Sequence, residues 1–283
     1  MAKEYQAVCV MSGGLDSTTA LYRAVSKQGA ENVLALSFYY GQRHKIELHF
    51  AEQTCLKLGV DWKKVDISSI NSLLPGSALS DSDVDVPEGH YAEDTMKQTV
   101  VPNRNAIMAN IAIGAVVGYG ARTLWLGVHA GDHFIYPDCR PEFITQLEML
   151  AKVANEGFIY PEFTIVTPYI ASSKNDIAIE AWELGLPFHE TWSCYNGAAI
   201  SDQMKAASLR PPGEKEFGGF DIPPHCGRCS TCVERLEAID YARNHFDEKL
   251  GEDSDFADFT EYTDDEFWLK AIEQWEREND GSN

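Results

Sequence analysis

Over the first 186 positions the chain switches between short, nearly all-apolar runs and longer amphipathic stretches. Residues 7–11 (AVCVM) form the first run, which ends in Ser12-Gly13-Gly14. A helix follows over 16–27, with Leu15, Ala20, Leu21 and Val25 roughly on one face. Residues 33–39 are a second run, then come a turn at Gly41, a helix over 44–58 and a third strand over 62–67. The stretch 68–97 is rich in Ser, Asp, Gly and Pro, and reads as a long excursion, a lid or a disordered loop. The rhythm then resumes with a helix over 103–119, a strand over 123–127, a helix over 141–155 and a strand over 163–167. A last amphipathic helix over 172–184 is introduced by Ser172 and Ser173 as capping residues. This alternation predicts right-handed β-α-β crossovers, and so an α/β fold with an open, doubly wound, mainly parallel sheet.

After Leu186 the pattern changes. Residues 187–245 hold four of the seven cysteines, little periodicity and a polar, Pro/Gly-rich stretch over 210–224. The expected organisation is an α/β domain over 1–186, a cysteine-bearing appendix over 187–245 and an acidic tail over 246–283.

Composition changes this picture in two places. With 283 residues, 44% of them hydrophobic, the chain can bury a substantial core, which excludes global disorder. Its net charge of −21 argues against direct nucleic-acid binding or an anionic-membrane surface. About half of that charge, a net −11, lies in residues 247–283, which also carry Phe256, Phe259, Tyr262, Phe267, Trp268, Ile272 and Trp275. So many aromatics predict that the tail docks on the body or on a second subunit. The longest apolar stretch, 106–121, is too short to span a membrane, and no secretory signal is visible. Seven cysteines in such a chain read as reduced thiols in a cytoplasmic protein.

Two constellations carry chemistry. Ser12-Gly13-Gly14-Leu15-Asp16-Ser17 sits where the first strand turns into the first helix, the end of a parallel sheet where ligands bind. The glycines allow close backbone approach, the helix N-terminus attracts an anion, and Ser12, Ser17 and Thr18 add hydroxyls. In the second, Cys226, Cys229 and Cys232 are spaced by two residues, and Cys194 supplies a fourth thiol across 31 residues. Four thiolates suit a closed, structural zinc site. An iron–sulfur cluster is the alternative, but its ferredoxin pattern would need cysteine and proline where this chain has Leu236 and Glu237. His225 reads as a residue at the surface or behind the ligands. Cys9 and Cys55 read as buried thiols, and Cys139 as a bystander or a nucleophile without a visible base.

The loop resembles the SGG-x-DS signature of the PP-loop ATP pyrophosphatases. That resemblance implies that Met11, Ser12, Gly13, Gly14, Leu15, Asp16, Ser17, Thr18, Thr19, Ala20 and Leu21 bind ATP, with Asp16 positioning Mg2+. SGGLDSTTAL at 12–21, YGQRH at 40–44, VPNRN at 101–105, YPDCR at 136–140 and CYNG at 194–197, taken with the three clustered cysteines, resemble the 7-cyano-7-deazaguanine synthase family over residues 5–240. The resemblance implies adenylation of 7-carboxy-7-deazaguanine, amide formation with ammonia, a second adenylation and loss of AMP to leave the nitrile. Stopping at the amide, transfer to another amine, and a non-catalytic zinc-stapled nucleotide module are the alternatives. Lys174 and Arg104 are expected at the phosphates, with Arg43, His44, Asn105, Asp138 and Arg140 at the deazaguanine. Family precedent suggests a homodimer. Where the family usually has glycine at position 103 this chain has Asn103, which predicts a left-handed asparagine.

Overall fold

The computed structural model describes residues 3–74, 76–81, 83–91, 96–196, 216–217, 220–250 and 256–279. Five parallel strands, β1 (Ala7–Val10), β2 (Val33–Tyr39), β3 (Asp61–Asp66), β4 (Thr123–Trp125) and β5 (Thr164–Val166), stand in the order β3-β2-β1-β4-β5. The chain leaves β1 toward β2 on one side and returns to β4 on the other. The carboxyl ends of β1 and β4 therefore diverge into a crevice, the place where an open α/β sheet binds its ligand.

Alternate residues of the central strands divide the core into two halves. Val8, Leu34, Leu36 and Leu124 meet α3 (Arg104–Gly118) and α4 (Pro141–Ala154) on one face. Ala7, Cys9, Val33 and Ala35 meet α1 (Leu15–Gln28) and α2 (Glu47–Leu58) on the other, where Cys9 and Cys55 are both buried as expected. Asn103, just before α3, has φ 59°, the left-handed conformation expected from the family's usual glycine at that position. The helix after β5, α5 (Lys174–Glu183), starts at Ser173, whose Oγ accepts the Asp176 N–H while Asp176 accepts the Ser173 N–H.

The C-terminal part departs from the expectation of little regular structure. After a short hairpin of β6 (Glu216–Phe217) and β7 (Phe220–Asp221), α6 (Ser230–Leu250) runs for 21 residues. The 245/246 division of the chain falls inside it. Ala238, Ile239 and Ala242 pack on Ile177, Ala178 and Ala181 of α5, which in turn cover Leu15 and Ala20 of α1. The Pro/Gly-rich stretch and the intervening 195–225 link lie largely outside the described residues.

The tail packs on the body. Phe256 lies against Trp182 and Phe188, with ring centroids 4.8 and 5.6 Å away. Residues 261–263 pair with His225 through Glu261 carbonyl and Thr263 N–H, and the carbonyl of Asp264 sits where a Cβ on Gly227 would be. At 227 only glycine fits, and its φ of 75° asks for one as well. The tail ends in α7 (Phe267–Asn279), with Trp275 stacked on His90. The excursion over 68–97 is likewise packed where described: Ala78, Leu79 and Met96 are buried, and Gly89 N–H donates to the Arg228 carbonyl. No helix among the described residues is long and apolar enough to cross a membrane.

Candidate functional site

The end of β1 is shaped by what lies behind it. Gly13 has φ 95°, and a Cβ there would overlap the backbone carbonyl of Glu47 at the start of α2. Gly14 caps α1 without offering a side-chain acceptor to its first N–H groups. The nearby serines close on each other: Ser17 Oγ accepts Ser12 N–H (3.1 Å) and lies 2.9 Å from Ser12 Oγ, which accepts Gly14 N–H (3.2 Å). An anion's oxygens would take up these donors and the partial positive charge of the helix end.

The loop forms one wall of a cavity of about 210 Å3. Met11, Ser12, Gly14, Asp16 and Ser17 line it. Leu15, Thr18, Thr19, Ala20 and Leu21 do not, because successive positions of a helix point to different sides. Thr18 Oγ1 turns to Met11 Sδ, Thr19 Oγ1 donates to the Leu15 carbonyl, and the three apolar residues join the core. Gly13 acts as a spacer, its carbonyl accepting Trp192 N–H.

Across the cavity stand Tyr40, His44, Arg104, Asn105, Asp138 and Tyr195. Asp138 accepts both the N–H (3.0 Å) and the side-chain amide (3.4 Å) of Asn105. Arg104 has Tyr40 and Tyr136 rings about 6 Å from its guanidinium and, among the described residues, no carboxylate in ion-pair range. Burial brings the His44 pKa down to about 3, so its imidazole is neutral. Burial pushes Glu47, also in the wall, up to about 7, against the pull of Gln42 and Arg104. Cys139 lines the cavity too, but burial and the nearby Asp132 and Asp138 push its thiol up, so it is no ready nucleophile.

Two expected substrate contacts lie elsewhere. Arg43 donates to the carbonyls of Ala78 (3.4 Å) and Val84 (2.7 Å), pinning the 68–97 excursion. Arg140 is exposed at the start of α4 and donates to the His133 carbonyl (2.6 Å). In each case the neighbouring residue, His44 or Cys139, takes the inward position, which leaves the arginine facing out.

Lys174 stands behind the loop rather than in the cavity wall. Its Nζ lies 2.7 Å from Asp16 Oδ2 and 3.5 Å from Glu234 Oε2 on α6. His129 Nε2 is 3.9 Å from Asp16 and 3.6 Å from Asp132, while its Nδ1 accepts Gly131 N–H. Asp132 also accepts the Tyr91 hydroxyl (2.9 Å). Burial would raise the Asp16 pKa, yet Lys174 and His129 override it and hold the carboxyl below its ordinary range. Asp16 Oδ1 is buried without a hydrogen-bond partner. His129, Asp132 and Glu234 were not singled out from the sequence. The Gly127-Val128-His129 turn after β4 was a usable signal for the first two; Glu234 had none, because α6 was not foreseen.

The four cysteines Cys194, Cys226, Cys229 and Cys232 converge, all buried, with their Sγ atoms within 4.8 Å of one another, a group that could hold a metal ion. Cys229 N–H (3.3 Å) and Arg228 N–H (3.4 Å) point at Cys226 Sγ, and Cys226 N–H at Cys194 Sγ (3.5 Å). His225 is not in the group and is buried rather than at the surface, stacked on Trp192 at 4.2 Å. Arg235 on α6 is fully buried, binding Phe188 carbonyl and the hydroxyls of Thr191, Ser193, Thr260 and Tyr262.

A parallel α/β sheet with a serine-glycine loop at the end of β1, joined to a buried four-cysteine group that could hold a metal ion, is the arrangement that the PP-loop resemblance implied. The chain belongs to the QueC family, whose model, described as queuosine biosynthesis protein QueC, matches residues 6–243. It is 47% identical over 232 residues to the 7-cyano-7-deazaguanine synthase of Alteromonas mediterranea, covering 82% of this chain and 92% of that one. It is 45% identical over 265 residues to the 7-cyano-7-deazaguanine synthase of Brucella anthropi, covering 94% and 97%. The structure also aligns with the NH3-dependent NAD synthetase of Campylobacter jejuni, at 15% identity, 89% and 90% coverage and a TM-score of 0.41.

Proposed function

We propose that the protein converts 7-carboxy-7-deazaguanine, ammonia and ATP into 7-cyano-7-deazaguanine. Family membership supports the overall reaction, and the observation that carries the site assignment is the cavity between the β1 loop and Arg104. Its volume is below the ~300–1,000 Å3 of ordinary ligand pockets, which suits one heterocycle inside and a polyphosphate at the mouth.

The loop N–H groups of α1, with Ser12 and Ser17, hold the pyrophosphate portion of ATP. Tyr40, Tyr195 and the neutral His44 enclose the deazaguanine ring, and Asn105 and Asp138 offer hydrogen bonds to its edge. Arg104, which has no carboxylate partner among the described residues, meets the negative charge of the carboxylate and of the α-phosphoryl group as it is attacked. The substrate carboxylate oxygen attacks the α-phosphorus, pyrophosphate leaves, and ammonia displaces AMP to give the amide. The amide oxygen then attacks a second ATP with release of pyrophosphate, and loss of AMP together with both amide protons leaves the nitrile. One site serves both adenylations, since both present an oxygen on the same ring position. The buried, unpartnered Asp16 Oδ1 fits a Mg2+ ion, which would neutralise phosphate charge when bound.

The cysteine group fits zinc. Four thiolates at Zn–S ~2.3 Å in a tetrahedron lie about 3.8 Å apart, and Cys226 Sγ and Cys232 Sγ are 3.8 Å apart here. A multi-iron cluster would spread its thiolates more widely. With four thiolates and no histidine in the group, the ion serves structure. We also take the protein to be cytoplasmic and to pair with a second copy, to which the exposed Met149, Leu150 and Val153 on α4 lend an apolar surface.

The test is a product mass. Protein, ATP, ammonium and the carboxylate should give the nitrile, with AMP and pyrophosphate released at each adenylation. An amide that accumulates without nitrile would reduce the assignment to its first half. Absence of carboxylate-dependent pyrophosphate release would overturn it.

A further inference from the structure

Lys174 is shared between two carboxylates that come from different parts of the chain. Asp16 belongs to the first turn of α1, inside the loop. Glu234 belongs to α6, two residues after Cys232, and its Oε2 lies 3.5 Å from the same ammonium. Both Lys174 and Glu234 are 13% exposed in their side chains, so the pair is only weakly screened by solvent. Glu234 Oε1 also lies against Gly131, in the turn that carries His129 and Asp132. An ammonium bonded to Asp16 alone would be held away from an arriving phosphate by the carboxylate that the loop itself needs. A second anion behind it allows the lysine to keep its place when Asp16 lets go.

We propose that Glu234 is a positioning residue for the nucleotide site: it anchors Lys174 so that the ammonium meets the phosphates of ATP while Asp16 is released. This rests on the reading that Lys174 contacts phosphate. Because α6 starts directly after Cys229 and carries Cys232 in its first turn, the cysteine group then determines where a charge of the nucleotide site stands, and the appendix becomes part of the active site's framework.

Steady-state kinetics of the full-length protein test this with Glu234→Gln, Lys174→Met and the double variant, alongside metal content and thermal midpoint. Glu234→Gln should raise KM for ATP on the order of tenfold and leave KM for the carboxylate, bound metal and midpoint unchanged; in the Lys174→Met background it should add less than about twofold. Glu234→Asp, which keeps the charge, should fall between wild type and Glu234→Gln. An equal effect in both backgrounds, an equal rise in KM for the carboxylate, or loss of metal in Glu234→Gln would overturn the assignment. If Lys174→Met itself left KM for ATP unchanged, the underlying phosphate reading would fail. If Lys174→Met raised it and Glu234→Gln did not, the role of Glu234 alone would fail.

Discussion

The loop after β1 and the cysteine group before α6 both gather polar atoms where an element begins, yet they leave them in opposite states. The loop keeps its groups exchangeable: serines bonded to each other, an uncapped helix end, and a carboxylate with one free oxygen. The cysteine group turns four buried thiols toward one another, with backbone N–H groups donating to them. The first arrangement suits turnover, in which contacts form and break in each cycle. The second suits permanence, since a closed ligand set stabilises the fold it closes. The two meet along α6, which starts at one and delivers Glu234 to the other. Lys174, behind the loop, thereby has a second carboxylate beside it without any enlargement of the sheet.

The sharpest break in this comparison comes from removing one metal ligand. Cys232→Ser should release the metal and unfold the start of α6, given that structural zinc supplies on the order of 10 kcal/mol of folding energy in small sites. Metal analysis and far-ultraviolet circular dichroism on heating would record it. A Cys232→Ser variant with wild-type metal content and midpoint would show that the group is not a closed site. A chelator strong enough to strip the metal should act in the same way and raise KM for ATP through Glu234.

Next in size is the tail. Truncation after Leu250 removes Phe256 from its cluster with Trp182 and Phe188, and takes Thr260 and Tyr262 away from the buried Arg235 guanidinium. Loss of one buried aromatic costs ~3 kcal/mol or more, and two lost hydrogen bonds to a buried charge add to this. The thermal midpoint should fall by roughly 10 °C. An unchanged midpoint would mean that the acidic segment is merely solvated, and the net −10 of residues 251–283 would need another explanation.

How much of this could be read from the residues depends on what each feature rests on. The sheet and its helices follow from apolar runs and amphipathic faces, and were legible to within a few residues. The left-handed Asn103 was legible only through the family resemblance, since glycine at that position marks a backbone that asparagine can also adopt. Helix α6 was hidden by its own core: Cys232, Arg235, Ile239, Ala242 and Phe246 recur at helical spacing and are buried, but a buried arginine in that stripe reads as a polar position and breaks it. With α6 unseen, Glu234 could not be placed. The loop motif was legible as a centre, not as a list, since five of its eleven residues are spent on packing α1 rather than on a ligand.

Arg140 gives the smallest and most discriminating effect. It belongs to a segment that resembles the family, next to Asp138 and Cys139, which line the cavity. Its own side chain is exposed and bonded to the His133 carbonyl, so it stands on the outside of the same turn. A surface arginine with a carbonyl partner contributes little to stability and nothing to a cavity it does not reach. Arg140→Ala should therefore change kcat/KM for the carboxylate by less than about twofold. Asp138→Asn, which disturbs the bond to the Asn105 N–H inside the cavity, should cost clearly more in the same assay. A large loss in Arg140→Ala would mean that the turn after β4 reorganises around the substrate and brings this arginine inward.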